Sequence, residues 1–185
     1  FGITGSLASG KTTTSKILSF KKGPLFSADT IVKNLYRKKE FKNIVSKKFK
    51  IQKKGNLKKI LRKKILSNNL SLNKLENIIH PLVRREMNRF IKKNKRKKFI
   101  FFEIPLLIES KLMKKFDVII YVKAKKSIRL KRFLSKGGNK KLFYLLNDKQ
   151  MSDSEKEKFA QHIIVNNNNI KILKKKLLDI FKKYE

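Results

Sequence analysis

Apolar residues fall along this chain in two rhythms, short unbroken runs and longer stretches at helical spacing. Phe1-Gly2-Ile3-Thr4 reads as a brief buried strand running into Gly5. From Lys11, the positions of Ile17, Leu18 and Phe20 suit a helix, and Lys22-Gly23-Pro24 ends it. Leu25-Phe26-Ser27 predicts a second strand ahead of Asp29, after which Ile31, Val32, Leu35 and Tyr36 return to helical spacing. The stretch 38–97 is almost strand-free: Leu57, Ile60, Leu61 and Ile65 share one helical face, and Leu72, Leu75, Ile78 and Ile79 repeat the theme. A further helix is expected to begin after His80-Pro81, because Pro is tolerated in a first turn, where its missing N–H has no partner to lose. Phe99-Ile100-Phe101-Phe102 and Val118-Ile119-Ile120-Tyr121-Val122 are apolar without alternation, the mark of strands covered on both faces in a parallel sheet. Residues 127–136 read as a helix stopped by Gly137-Gly138, and Ser152 with Glu155 has capping-box spacing. Ile163-Ile164-Val165 is a last strand before Asn166, and Ile170, Leu173, Leu177, Leu178 and Phe181 stripe a terminal helix. Strands alternating with helices make this an α/β chain with a helical insertion at 38–97.

Composition narrows the chemistry. The 185 residues suit a single domain over 1–185, and 40% hydrophobic residues, including 14 Phe, are enough for a packed core. With no Cys, disulfide scaffolds, thiolate metal sites and cysteine nucleophiles are excluded, and 2 His exclude a multi-histidine metal centre. No run approaches the ~18 apolar residues of a membrane span; the best candidate, 99–108, is broken by Glu103 and Pro105. The opening lacks a basic segment and meets polar Thr4 and Ser6 early, unlike a signal peptide, so the cytoplasm is the expected address. The net charge of +37 invites a nucleic-acid reading. Against it, Lys is spread from Lys11 to Lys183, and Arg, whose planar fork matches guanine edges, is scarce. Lys together with abundant Asn, Ile and Phe reads as compositional drift in an A+T-rich genome. The densest cluster, 92–98, is read as a solvated loop, and no specific nucleic acid is expected as a partner.

The strongest chemical signal lies at the start. Gly5-Ser6-Leu7-Ala8-Ser9-Gly10-Lys11-Thr12 fits G-x-x-x-x-G-K-[ST] between a strand and a helix. In such a loop, backbone N–H groups and the helix N-terminus converge on nucleotide phosphates. Lys11 reaches the β- and γ-phosphates, and the Thr12 hydroxyl can ligate Mg²⁺. Gly5, Ala8, Ser9, Gly10, Lys11, Thr12 and Thr13 are therefore the ATP-binding candidates. Guanine-specificity and switch motifs of a GTPase are absent from the sequence. A short chain with a helical insertion after the second strand suits a small-molecule kinase.

With this loop in place, further segments resemble the dephospho-CoA kinase family over most of the chain: Ser27-Ala28-Asp29, His80-Pro81-Leu82-Val83-Arg84, Glu103-Ile104-Pro105-Leu106-Leu107, Leu130-Lys131-Arg132, Gln150 with Lys156, and Ile164-Val165-Asn166. The resemblance implies a parallel-sheet P-loop kinase core with an inserted helical acceptor-binding lobe at 38–97 and a lid at 127–148. It implies ATP and dephospho-CoA as substrates, Mg²⁺ as cofactor, and phosphoryl transfer to a 3′-hydroxyl. Asp29 then becomes the catalytic base, with Lys11 and Arg132 supplying positive charge. Asn166 joins the ATP site, and His80, Arg84, Glu103 and Leu106 line the acceptor side. Plainer roles stand beside these: Asp29 as N-cap of the 31–36 helix, His80 as a packed histidine, Glu103 as a cap before Pro105, and Asn166 as a turn residue. The alternatives at the level of the molecule are another small P-loop nucleoside or nucleotide kinase, or a basic nucleic-acid-binding ATPase. The sequence leaves the oligomeric state open.

Several positions depart from the family pattern. Ser27 replaces the first acid of an Asp-Ala-Asp element, Lys136 stands where a second lid Arg is usual, and Asn168 where Gly is common. Ser6 and Ala8 also stand where the loop commonly has Gly, so a Cβ is expected to be strained wherever φ is positive.

Overall fold

The computed structural model describes residues 1–51, 56–67 and 70–185. They form two compact units, one of Phe1–Ser27 with Asn94–Glu185 and one of Ala28–Lys93. The parts of the predicted helical stretch on 52–55 and 68–69 lie outside the described residues.

The first unit is built on β1 (Gly2–Gly5), β2 (Leu25–Ser27), β3 (Phe101–Glu103), β4 (Ile119–Lys123) and β5 (His162–Val165). They make a five-stranded sheet in the order β2-β3-β1-β4-β5, parallel at every pairing. β1 is buried along its whole length, as expected of the brief buried strand read at 1–4, and sits at the centre of the sheet. β3 starts later than the 99–102 run and ends on Glu103, because register is set by pairing: Ile3 and Ser27 both face Glu103 across the ladder. Phe99 and Ile100 precede the strand, and Ile100 accepts a hydrogen bond from the Phe1 amine at 2.9 Å.

Helices α1 (Lys11–Ser19) and α9 (Ile170–Phe181) cover this sheet with Leu18, Leu173, Leu177 and Phe181, which pack with Ile3, Phe101, Ile120, Val122 and Ile164. Each such buried side chain contributes about 1.5–3 kcal/mol. Of the stripe predicted for the terminal helix, Ile170 and Leu178 remain exposed. The strand-to-strand connections also contain α6 (Lys126–Leu134), α7 (Lys140–Asp148) and the short α8 (Asp153–Glu157). The Ser152–Glu155 capping box is present at the start of α8.

The second unit holds α2 (Ala28–Leu35), α3 (Lys39–Lys48), α4 (Leu57–Ser67) and α5 (Leu70–Lys93). Leu35, Phe41, Val45, Phe49, Leu61 and Leu75 form its core, and the Tyr36 and Phe41 rings meet edge to face at 5.0 Å. Two expectations are corrected here. No helix begins at Pro81: α5 runs through it. The ring costs the bond that the residue-81 N–H would give to the Asn77 carbonyl, but Leu75, Ile78, Ile79 and Leu82 pack into one core on both sides of it, and tertiary packing outweighs the break. Asp29 is not an N-cap either, since α2 already begins at Ala28 and Asp29 sits inside its first turn. There it faces the helix dipole favourably.

Candidate active site

β1 ends on Gly5, the chain turns, and α1 starts at Lys11. Two glycines make this turn possible. Gly5 has φ 150° and a Cβ there would lie 2.0 Å from the Val122 carbonyl oxygen; Gly10 has φ 103° and a Cβ there would meet the Asn166 side chain at 2.2 Å. Ala8 also adopts the left-handed region, at φ 59°, so strain at this departure is real. At Ser6 and Asn168 it is absent, because neither residue has positive φ.

Lys11 is buried, and its Nζ donates to the Gly5 carbonyl at 3.0 Å and the Ser6 carbonyl at 2.8 Å, folding the cation back over its own loop. The Thr12 hydroxyl donates to Glu103 Oε1 at 2.5 Å, and Ser15 Oγ donates to Glu103 Oε2 at 3.4 Å. Glu103, buried at the end of β3, therefore faces the first turn of α1. Its neighbour segment is fixed by Thr4 Oγ1, which donates to the Pro105 carbonyl at 3.1 Å, while Leu106 is half-buried. Thr13 is exposed on α1.

The Ser9 carbonyl accepts from two residues, Arg132 Nη1 at 3.2 Å and Asn166 Nδ2 at 2.8 Å. Arg132 comes from α6; Asn166 follows β5 directly and its N–H is held by the Lys123 carbonyl at 2.8 Å. The fold thus brings Gly5, Ala8, Ser9, Gly10, Lys11, Thr12, Glu103, Arg132 and Asn166 around one loop. Asp29, His80 and Arg84 belong to the helical unit. Asp29 is exposed in α2, His80 is half-buried beside Pro81 in α5, and Arg84 is exposed one turn further on.

The loop has a second set of partners, of which the sequence motifs had marked Gln150 but not Arg129, Tyr121 or Asp153. Arg129 is buried and donates to the carbonyls of Ala124 at 3.1 Å and Leu7 at 3.4 Å and to Asn147 Oδ1 at 2.8 Å. The Leu7 N–H donates to Gln150 Oε1 at 3.0 Å. Ser6 Oγ lies 2.8 Å from the Tyr121 hydroxyl and donates to Asp153 Oδ1 at 2.7 Å. Burial works to raise the Asp153 carboxyl, but hydrogen bonds from Ser6 and Tyr121 and the Arg129 and Lys156 cations outweigh it and hold it below the ordinary range. Burial pushes the Tyr121 phenol up, so it keeps its proton. Lys156, fully buried, forms an ion pair with Glu109 at 2.6 Å. A signal for Arg129 did exist: it precedes Arg132 by a helical turn, on the same face of α6.

A glycine-punctuated loop between a central parallel strand and a helix, with a buried lysine folded over it, defines a P-loop nucleotide-binding protein. The family model for dephospho-CoA kinase matches residues 1–171. A dephospho-CoA kinase of Fusobacterium nucleatum is 34% identical over 189 residues, covering 100% of this chain and 94% of that protein. One of Bartonella quintana is 36% identical over 168 residues, covering 88% of this chain and 86% of the relative. Among solved structures, a Thermus thermophilus protein superposes with TM-score 0.75 at 25% identity, covering 100% of this chain and 96% of that one. The dephospho-CoA kinase of Campylobacter jejuni gives 0.66 at 27% identity, covering 99% and 95%. The chain belongs to the dephospho-CoA kinase family.

Proposed function

We propose that this protein transfers the γ-phosphoryl group of ATP to the 3′-hydroxyl of dephospho-CoA, producing ADP and coenzyme A. The observation that carries the reading is the loop at 5–12, with Lys11 poised on its carbonyls and Arg132 and Asn166 closing on Ser9. ATP phosphates replace the carbonyls as partners of Lys11, and loop N–H groups bind their oxygens. The Asp29 carboxylate accepts the proton of the ribose hydroxyl as its oxygen bonds to the γ-phosphorus and the bond to the ADP oxygen breaks. Lys11 and Arg132 offset the charge that builds on the transferring group. His80, Arg84, Glu103 and Leu106 hold the acceptor.

The donor set fits Mg²⁺: the Thr12 hydroxyl and the Glu103 carboxylate present adjacent hard oxygens, and among the described residues no His-, Cys- or acid-rich cluster offers a rival metal cage. Bound there with ATP, the ion would neutralise phosphate charge. The lid is α6 and α7, hinged at Gly137-Gly138. Among the described residues no helix is long and apolar enough to cross a membrane, in keeping with a cytoplasmic enzyme.

The test is direct. Purified protein with ATP and Mg²⁺ is offered dephospho-CoA, a panel of nucleosides and a panel of nucleotides, and products are followed by mass. Coenzyme A should form far faster than any other product. Preferential phosphorylation of a nucleoside or nucleotide would replace this reading with the broader kinase one.

A further inference from the structure

Ser6 occupies a loop position where its side chain cannot reach solvent, yet the hydroxyl is not stranded. Tyr121, from the middle of β4, donates to Asp153 Oδ1 at 2.8 Å, and Ser6 donates to the same oxygen at 2.7 Å. The two hydroxyls are also 2.8 Å apart. Two hydroxyl protons serve this triangle, and an ionised carboxylate is the one member able to accept both. Asp153 is therefore the centre of the cluster, and Ser6 and Tyr121 are its donors.

The next residue is held by the same part of the chain. Leu7 donates its N–H to Gln150 and accepts from Arg129. The 150–153 segment thus grips the rear of the loop at two successive residues, while Arg132 and Asn166 grip it at Ser9. A phosphate-binding loop works by holding its N–H groups convergent before the ligand arrives, so whatever fixes Ser6 and Leu7 fixes part of that array.

We propose that Asp153 is a positioning residue for ATP, acting through the Ser6 hydroxyl to set the phosphate loop in its binding shape. The proposal rests on the reading that residues 5–12 bind the ATP phosphates. Interactions that shape the loop act equally on bound ATP and on the transition state, so their loss weakens ATP binding with little change in turnover.

The experiment is a double-mutant cycle on the full chain, with Kd for Mg²⁺-ATP by titration calorimetry, kcat, KM for dephospho-CoA and Tm measured throughout. Asp153→Ala should raise Kd for ATP about tenfold, with kcat and KM for dephospho-CoA within about twofold. In a Ser6→Ala background the same substitution should change Kd by less than about twofold, because the path to the loop is already cut. Asp153→Asn, which keeps one accepting oxygen, should fall between. If Asp153→Ala does not fold, Tyr121→Phe and Asp153→Asn carry the cycle. A lowered Tm with unchanged Kd, or Kd effects that simply add, would overturn the proposal and leave Asp153 a packing residue. Lys11→Ala separates the two readings: if it too leaves ATP binding unchanged, the loop assignment falls; if it alone weakens binding, only the role of Asp153 falls.

Discussion

Lys11 donates to the carbonyls of Gly5 and Ser6 in its own loop, and is held ready for a ligand with better acceptors. Lys11→Ala should lower kcat by roughly 10²-fold or more, the scale of losing a charge stabiliser in a dry site, with far-UV dichroism and Tm near wild type. A folded variant with ordinary turnover would remove Lys11 from the mechanism. Asp29 lies exposed within the first turn of α2. Asp29→Asn removes a charge that the helix dipole favours by about 0.3–1 kcal/mol, whereas a general base lost costs about 10²–10⁴ in rate. Turnover measured beside Tm tells the two apart, and full activity would leave the base unassigned. Ser6 and Ala8 make a contrasting pair. Ala8 sits at φ 59°, where a Cβ costs about 1–2 kcal/mol, partly offset by the freedom that glycine regains on unfolding, about 0.4–1 kcal/mol. Ala8→Gly should thus raise Tm by a degree or two, while Ser6→Gly, with no strain to relieve and hydrogen bonds to lose, should lower it. A lowered Tm for Ala8→Gly, or a raised one for Ser6→Gly, would contradict the backbone argument.

At the scale of elements, what could be read from sequence was whatever local pattern decides. The loop at 5–12, the parallel strands β1 and β4 and the capping box of α8 are written in contiguous residues and were predictable as such. Limits set by long-range partners were not. β3 ends at Glu103 because Ile3 and Ser27 pair with it, and α5 passes Pro81 because one core holds both of its halves. The same limit applies to Arg129, Tyr121 and Asp153, which come from α6, β4 and α8 and meet only through the fold. The lid assignment rests on α6 and α7 and the turn between them. Arg132 ties α6 to the loop through Ser9, Asn139 caps α7, and between them Gly137 at φ 80° has open space where a Cβ would lie, with its N–H on the Leu134 carbonyl. Limited proteolysis at 136–141 should slow several-fold when ATP and dephospho-CoA are added together, since lid closure buries such connections. Equal cleavage with and without substrates would rule out a moving lid.

The molecule as a whole carries 50 basic and 13 acidic residues, so most of its cations have no acid to pair with. Ion pairs such as Lys123–Glu157 and Arg89–Glu86 therefore cannot balance the surface. Like charges crowded on a compact body repel one another and destabilise it relative to the expanded chain. Salt shortens the reach of that repulsion from about 10 Å at 0.1 M to about 3 Å at 1 M. Raising NaCl from roughly 0.05 M to 0.5 M should accordingly raise Tm by several degrees, where a protein of balanced charge changes little. The same charge should attract any polyanion at low salt by counterion release, with an affinity that falls steeply and linearly in log[salt] and ignores sequence. These two responses share one cause and should appear over the same range of ionic strength. A Tm indifferent to NaCl would mean that the lysines are spread widely enough for water alone to screen them. Tight, sequence-selective nucleic-acid binding at physiological salt would instead show that the charge has been organised for a partner. The dispersal of Lys from Lys11 to Lys183 argues against a surface organised for one partner, and the excess of 50 basic over 13 acidic residues argues for a general electrostatic strain relieved by ions.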